Sequence, residues 1–434
     1  MPYEREEITR IEELLKIILT SSFSDATSAI EKRIDELFTS YGIELPYETK
    51  QLLVIGYYCA AKEYSTAEPR QLGGPYFLHP ELAMSIAIGA GASDIITLLA
   101  CLFHDAIEER AEAVRKKPTW HWRLNRESKL IGNFNKALQN QLTADLRLYN
   151  ISNAESIAAQ VCEPVMLLTK RKKENYYSYI YRIFEQPHLL FAESRMRAIK
   201  AKFADSYANT SDLERDDYQI YPALVPFQSI IDAFQQKDQK RIDELIAKCE
   251  QLAEAHHQKR DKSKFGGDRK LHTCYKNLIV LNQYGQWLLA GNEPIQEVAA
   301  INLPKISATI AGKILDHLCT YHCHNELTPK RVFEIYCKHL EYEAREGYDC
   351  VTRPSKIGQE DNYDGMFTTV FDPKIRKGDS RGLYRLYDNR ADMLRAAISL
   401  QYVFERFEEE GPTRIVKGFT EKGLEQAPPI VLGK

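Results

Sequence analysis

The 434-residue sequence has no long apolar run, little net charge and only three tryptophans. Its apolar stretches fall well short of the roughly 18 consecutive residues that a membrane-spanning helix needs, so we expect no such helix and no membrane partner. A net charge of −3 gives little attraction to nucleic acid, so no nucleic acid polymer is expected as a partner either. The first residues are charged and have no apolar stretch of signal-peptide type, which predicts no secretory signal.

The nine cysteines are scattered and odd in number. Such a set does not form a framework of paired disulfides, and several members stand in apolar helical surroundings. Reduced thiols are typical of the cytosol, so we expect a cytoplasmic protein. The contents of 44% hydrophobic and 27% charged residues are those of an ordinary globular protein, and the length allows two domains.

Apolar periodicity predicts an all-α protein. Helices are expected at about residues 5–20, 25–41, 46–64, 80–90, 93–110, 155–170, 190–210, 271–290, 305–322, 328–346 and 388–410, with a further amphipathic stretch at 225–260. A shift in composition near residue 225 divides the chain into residues 1–224 and a mainly helical C-terminal domain, 225–434. Residues 116–150 are polar and are expected to be a partly helical surface insertion. Residues 261–270 are expected to form a mobile loop, and 349–382 to be irregular.

The stretch 93–110 is the most distinctive in the chain. Ser93 and Asp94 are residues that favour a helix start, and nine almost wholly apolar residues follow, which is typical of a buried helix. At the far end of this predicted helix stand His104 and Asp105. Burial of an imidazole and a carboxylate costs several kcal/mol unless they find partners, and a metal ion is a suitable partner for both.

Two other segments offer similar side chains. His79 precedes Pro80, which suits the first turn of a helix, so its imidazole is expected at a helix mouth. Lys202, Asp205 and Asn209 are spaced to share one face of the helix at 190–210. That stripe by itself is more typical of a surface salt-bridge cluster.

Three motifs in this order resemble the hydrolase domain of the RelA/SpoT family, within the HD-domain metal phosphohydrolases. Residues 70–80, RQLGGPYFLHP, are similar to the family segment RKSGEPYxxHP. Residues 104–109, HDAIEE, are similar to its HDxxED, and residues 202–209, KFADSYAN, to its KLADRxxN. The resemblance covers about residues 45–215 and implies a helical HD-domain bundle. No counterpart of the family's synthetase domain follows.

The resemblance implies removal of a 3′-diphosphate from guanosine tetra- or pentaphosphate. The metal, Mn²⁺ or another divalent transition metal, would be bound by four residues: His79, His104, Asp105 and Asp205. A mixed set of imidazoles and carboxylates suits such a metal better than Ca²⁺.

The other roles also follow from the resemblance. Glu108 and Glu109 would be the catalytic acidic pair, each about one turn beyond a metal ligand. Arg70 would contact the nucleobase of a phosphorylated purine nucleotide. Lys202 and Asn209 are further candidates for substrate binding, although Lys202 also fits a structural ion pair and Asn209 is able to bond to a metal ligand.

Residues next to the metal set depart from the family pattern. Glu109 stands where the family has Asp, Ser206 where it has Arg, and Gln71 and Leu72 where it has Lys-Ser. These changes fall on the substrate side and leave other substrates open: the 2′-phosphate of NADPH, a cyclic nucleotide, or a nucleotide attached to a protein. A non-catalytic nucleotide sensor is the remaining alternative.

Two further polar clusters have simpler interpretations. Residues 170–173 are basic, as at a solvated helix end, although such a run also attracts phosphates. Cys319, His322 and Cys323 share a helical stripe, but structural zinc sites usually draw ligands from two separated segments, so no zinc site is expected there.

Overall fold

A computed structural model describes residues 5–69, 74–115, 124–172, 174, 176–185, 192–211, 213, 233, 236–259, 267–289, 301–318 and single positions between 393 and 405. These residues contain no β-strand, and their helices confirm the all-α class. The helices are α1 Arg5–Thr20, α2 Phe23–Thr39, α3 Tyr47–Glu63, α4 Leu78–Gly89, α5 Ile95–Phe103, α6 Ala106–Arg115, α7 Leu124–Leu148, α8 Ala154–Leu168, α9 Tyr176–Glu185, α10 Ala192–Ser211, α11 Gln239–Lys259, α12 Gly267–Leu289 and α13 Leu303–His317.

The chain forms two compact units. The first comprises Met1–Asn175, Arg182–Asp212 and Glu297–Leu303, and the second comprises Tyr176–Tyr181, Leu213–Gln296 and Pro304–Lys434. The domain boundary predicted between residues 224 and 225 lies outside the described residues, as do the helix predicted at 328–346 and the irregular segment at 349–382.

Helix α5 is the centre of the first unit. Its residues from Ile96 to Phe103 are all buried, and it packs against α3, α4, α8 and α10. The predicted helix start is confirmed, because the Asp94 side chain accepts a hydrogen bond from the Ile96 backbone N–H at 3.2 Å. Arg197 on α10 donates to the same carboxylate at 2.7 Å and so joins α10 to the start of α5.

The prediction of one continuous helix over 93–110 is wrong. The chain turns at His104 and Asp105, between α5 and α6. His104 Nδ1 lies 2.7 Å from the Cys101 carbonyl oxygen, which is the acceptor that the Asp105 N–H would use in an uninterrupted helix. The local side-chain bond therefore replaces a backbone bond and ends α5 where the two polar residues begin.

Residues 116–150 were expected to be a partly helical surface insertion, and the described part of this segment is indeed helical. Residues 124–148 form one long helix, α7, which packs against α3, α6 and α8. Ile131, Leu138, Leu142 and Leu146 are buried along one face. Their spacing of seven and four residues is that of a helix packed into a bundle.

A buried ionic cluster joins the first four helices beside His79. Glu81 on α4 is fully buried and accepts hydrogen bonds from Arg33 on α2 at 2.7 Å and from the Tyr57 hydroxyl on α3 at 2.7 Å. Arg33 also reaches Glu7 on α1, at 2.5 Å. The cluster fixes the first turn of α4, which carries His79.

The second unit contains α11, α12 and the greater part of α13. All residues from Asn277 to Gly285 of α12 are buried, so α12 is its central helix among those described. The loop prediction for 261–270 is wrong for residues 267–270, which form the first turn of α12. Packing of the buried helix that follows overrides the low helix propensity of Gly267 and Asp268. No helix in the described residues is long and apolar enough to cross a bilayer.

Candidate metal centre

Four side chains from three segments meet in the first unit. His79 lies in the first turn of α4, His104 and Asp105 form the turn between α5 and α6, and Asp205 lies on α10. The ligand atoms of His79, His104 and Asp105 all lie within 4.8 Å of one another. Asp205 Oδ1 is 3.0 Å from His79 Nε2 and 3.5 Å from His104 Nε2. The structure thus brings together the four residues that the sequence nominated as metal ligands.

The two imidazoles face each other across a short gap. His79 Nε2 and His104 Nε2 are 3.2 Å apart, and the residues are 4% and 3% exposed. Asp105 Oδ2 lies 3.3 Å from His104 Nε2. Two nitrogen and two oxygen donors therefore point at one small buried region, which is the donor set expected around a divalent transition metal.

The tautomer of His104 follows from its hydrogen bond to the backbone. A carbonyl oxygen only accepts, so the 2.7 Å contact with the Cys101 oxygen places a proton on His104 Nδ1. In the neutral ring, Nε2 then carries a lone pair directed at the other donors. A backbone acceptor in this position is the usual way in which a metal-binding histidine is oriented.

The electrostatics of the four groups favour positive charge between them. Burial lowers the pKa of His104, but the Asp105 charge and hydrogen bonds to Asp105 and Asp205 outweigh it and raise that pKa to about 10. Burial raises the pKa of both aspartates. The imidazoles, together with Lys202 for Asp205, nevertheless hold both pKa values well below the ordinary range. Both carboxylates are therefore ionised at neutral pH.

Lys202 and Asn209 contact a member of the four-residue set. Lys202 Nζ donates to Asp205 Oδ2 at 2.5 Å, and Asn209 Nδ2 donates to Asp205 Oδ1 at 2.7 Å. All three residues lie on α10, as their spacing predicted. The contacts orient the Asp205 carboxylate, a role that the sequence had offered for Asn209 beside substrate binding.

Glu108 and Glu109 occupy the first turn of α6. Glu108 Oε2 accepts a hydrogen bond from the Lys170 backbone N–H at 3.2 Å, so the backbone at Lys170, just after α8, lies beside Glu108. Burial and the nearby Asp105 charge raise the pKa of Glu108 to about 7. The Glu109 N–H donates to the Asp105 carbonyl at 2.9 Å, which places Glu109 one turn beyond Asp105 despite the break between α5 and α6.

Tyr76 is a site residue to which sequence reasoning gave no role. Its hydroxyl donates to Asp105 Oδ2 at 2.9 Å, and its ring stacks on Tyr64 at 5.3 Å with an angle of 13° between the planes. The sequence offered one indication, because Tyr76 stands three residues before His79 in the segment that resembles GEPYxxHP. That position does not show which side chain accepts the hydrogen bond of its hydroxyl.

A cleft of about 600 Å³ opens beside these two tyrosines. The residues that line it include Leu15, Lys16 and Leu19 of α1 together with Tyr64 and Tyr76. Tyr76 therefore both lines this cleft and donates to Asp105. Arg70, the expected nucleobase contact, lies outside the described residues, as do Gln71, Leu72 and the Cys319–His322–Cys323 set.

Comparison with protein-family models, with curated proteins and with solved structures finds no match to this chain. A function is therefore inferred from the geometry of the site and from the three sequence motifs alone.

Proposed function

We propose that this chain is a metal-dependent phosphohydrolase that acts on a phosphorylated purine nucleotide. The preferred substrate is an alarmone-type guanosine nucleotide, from which a 3′-diphosphate would be removed. The observation that supports the proposal most strongly is the convergence of two buried imidazoles and two carboxylates from α4, the α5–α6 turn and α10. Burial of four such groups together is costly unless a cation balances them.

The residues present fit Mn²⁺ or another divalent transition metal. His79, His104, Asp105 and Asp205 would hold it, since their donor atoms already face one another and both carboxylates are ionised at neutral pH. A divalent cation in such a set supplies Lewis acidity, which lowers the pKa of water and stabilises charge on a phosphoryl group. Lys202 and Asn209 would keep the Asp205 carboxylate in place.

Glu108 is the best candidate for proton transfer. A pKa of about 7 suits a group that must accept a proton and release it again near neutral pH. The Lys170 N–H holds one of its carboxylate oxygens, which limits the rotation of the side chain. Glu109, on the same turn of α6, completes the acidic pair that the resemblance implies.

The choice of an alarmone as substrate depends on the resemblance to the RelA/SpoT hydrolase domain. That resemblance consists of the three ordered motifs and includes Arg70 as the expected nucleobase contact. The departures at Gln71, Leu72 and Ser206 are the reason to keep NADPH, cyclic nucleotides and nucleotide-modified proteins in the substrate panel. The sensor alternative shares the metal centre with the enzyme, so only a measurement of turnover separates the two.

Two measurements test the proposal. Elemental analysis of the purified full-length chain should find a divalent transition metal close to one per chain, and the Asp105→Ala variant should lose it. Incubation with Mn²⁺ and the nucleotide panel should release pyrophosphate from guanosine tetraphosphate. Asp35→Ala is the matched control, because Asp35 is a half-exposed carboxylate on α2 that pairs with Lys50 at 2.6 Å.

The outcomes separate the candidates. Turnover of NADPH or another nucleotide, without turnover of the alarmone, would support the proposed hydrolase activity but exclude the alarmone as its substrate. Stoichiometric metal and tight nucleotide binding without turnover would favour the sensor. If the chain takes up no metal and turns over no member of the panel, the proposal is wrong.

A further inference from the structure

His104 and Asp205 each have a partner outside the metal set that orients them, and the partners differ in kind. Cys101 supplies a backbone oxygen to His104, and Lys202 and Asn209 hold Asp205. The Asp105 side chain is 24% exposed, whereas the side chains of His79, His104 and Asp205 are no more than 8% exposed. Packing alone therefore restrains the Asp105 carboxylate less than it restrains the other three groups.

The Tyr76 hydroxyl contacts the Asp105 carboxylate, the group of the four that packing restrains least. It donates at 2.9 Å to Oδ2, the same oxygen that lies 3.3 Å from His104 Nε2 and 3.9 Å from His79 Nε2. A carboxylate oxygen has two lone pairs, so it is able to accept this hydrogen bond and still direct a lone pair at a cation. The hydroxyl thus selects which oxygen faces the imidazoles.

Tyr76 is itself held in a fixed orientation. Its ring stacks on the buried Tyr64, with centroids 5.3 Å apart, and the adjacent Phe77 makes an edge contact with Tyr57 at 4.9 Å. A hydroxyl on a rigid ring loses little conformational entropy when it forms a hydrogen bond. The pair of tyrosines therefore serves as a preformed support for Asp105.

We propose that Tyr76 is a positioning residue of the metal centre, which holds Asp105 Oδ2 toward His79 and His104 through its hydroxyl. The inference builds on the proposed function, since it requires that a cation binds there. Its effect is on metal affinity first and on catalysis only as a consequence. Loss of an outer partner of a metal ligand typically costs about 10- to 100-fold in affinity.

The test compares two single-hydroxyl deletions in the full-length chain. After chelation and dialysis, Mn²⁺ is titrated calorimetrically into the wild type, Tyr76→Phe and Tyr47→Phe. Tyr47 is the control because the same hydroxyl is deleted there from a 71% exposed ring on α3, where it accepts a hydrogen bond from Gln51 Nε2 on the same helix. We expect Tyr76→Phe to weaken Mn²⁺ binding about 10- to 100-fold and Tyr47→Phe to leave it nearly unchanged.

A double-mutant cycle with Asp105→Ala, measured as the free energy of unfolding of the metal-free chain, shows whether Tyr76 acts through Asp105. Tyr76→Phe should destabilise the wild-type background and have less effect in the Asp105→Ala background, where the acceptor of the hydroxyl is gone. Equal losses in both backgrounds would overturn the positioning role, and so would wild-type Mn²⁺ affinity in Tyr76→Phe. Failure of the wild type to bind Mn²⁺ or any other divalent transition metal would instead count against the proposed function, and against this inference with it.

Discussion

His79 Nε2 lies 3.0 Å from Asp205 Oδ1, although 126 positions separate the two residues in the chain. The contact results from the packing of α4 against α10, both of which also pack on α5. Asp94 and Arg197 join α5 to α10 at 2.7 Å, while the Arg33–Glu81 pair fixes α4. The packing of these helices therefore places the side chains of the candidate metal ligands close together.

The contacts of Asn209 lead to a prediction that separates a metal-centre role from a substrate role. Asn209→Ala removes the donor to Asp205 Oδ1, so we expect Mn²⁺ affinity to fall about 10-fold. The KM for the nucleotide, measured at saturating Mn²⁺, should change little. Calorimetric titration and steady-state kinetics measure the two quantities. A raised KM with unaltered metal affinity would instead make Asn209 a substrate contact.

Glu108 should make the stability of the metal-free chain depend on pH. Burial and the Asp105 charge raise its pKa in the folded chain to about 7, whereas a glutamate in an unfolded chain has a pKa of about 4.3. The folded state therefore binds this proton more tightly than the unfolded state. The resulting stabilisation is complete below the unfolded pKa and is lost as the pH rises through about 7.

Glu108→Gln tests this dependence because the amide oxygen is still able to accept from the Lys170 N–H but does not titrate. We expect the variant to gain stability relative to the wild type as the pH rises from about 5 to about 8, with chelator present throughout. Each pKa unit of difference corresponds to roughly 1.4 kcal/mol. Thermal unfolding at both pH values measures the gain. A constant difference between the two proteins would show that Glu108 does not titrate in this range.

The buried ionic cluster beside His79 should be sensitive to removal of one partner. Arg33→Met takes the guanidinium away from the fully buried Glu81 carboxylate and leaves the Tyr57 hydroxyl donor in place. Removal of one partner of a buried pair typically costs about 3–5 kcal/mol. Denaturant unfolding should show this loss. The double variant Arg33→Met/Glu81→Met, which removes both charges of the pair, should recover part of the lost free energy of unfolding. If the losses of the two single variants simply add in the double variant, Arg33 and Glu81 are not directly coupled.

Several features of this site could be predicted from the sequence because they depend on local chemistry. The apolar run 95–103, the Asp94 helix start and the shared face of Lys202, Asp205 and Asn209 all follow from spacing and side-chain type. The three motifs also nominated residues that the fold brings together. None of these inferences required knowledge of how the helices pack.

Other features depend on contacts between distant segments and could not be predicted in this way. The break after Phe103 is caused by the bond between His104 and the Cys101 carbonyl, without any proline or glycine to signal it. Helix α7 is polar enough to suggest a surface insertion, yet four buried apolar residues along one face pack it into the bundle. The role of Tyr76 depends on where its hydroxyl lies in three dimensions.

Helices α3 and α5 pack closely against each other at Gly56. A Cβ atom on Gly56 of α3 would lie only 2.1 Å from Leu99 Cδ2 on α5, so Gly56→Ala forces the fully packed core of the first unit to shift. Such overpacking typically costs about 1–3 kcal/mol, more than the alanine gains in helix propensity. The control is Gly132→Ala on α7, where a Cβ atom meets nothing within 4 Å.

Gly132→Ala should stabilise the chain, by up to about 1 kcal/mol, so the two identical substitutions are expected to have opposite signs. Denaturant unfolding of both variants measures the difference. Addition of Leu99→Ala to Gly56→Ala should cost less than the sum of the single losses, because the new methyl group occupies space that the leucine vacates. If Gly56→Ala were as stable as the wild type, the Leu99 side chain would have to adopt another rotamer at no cost, and the packing of α3 on α5 would not require a glycine at this position.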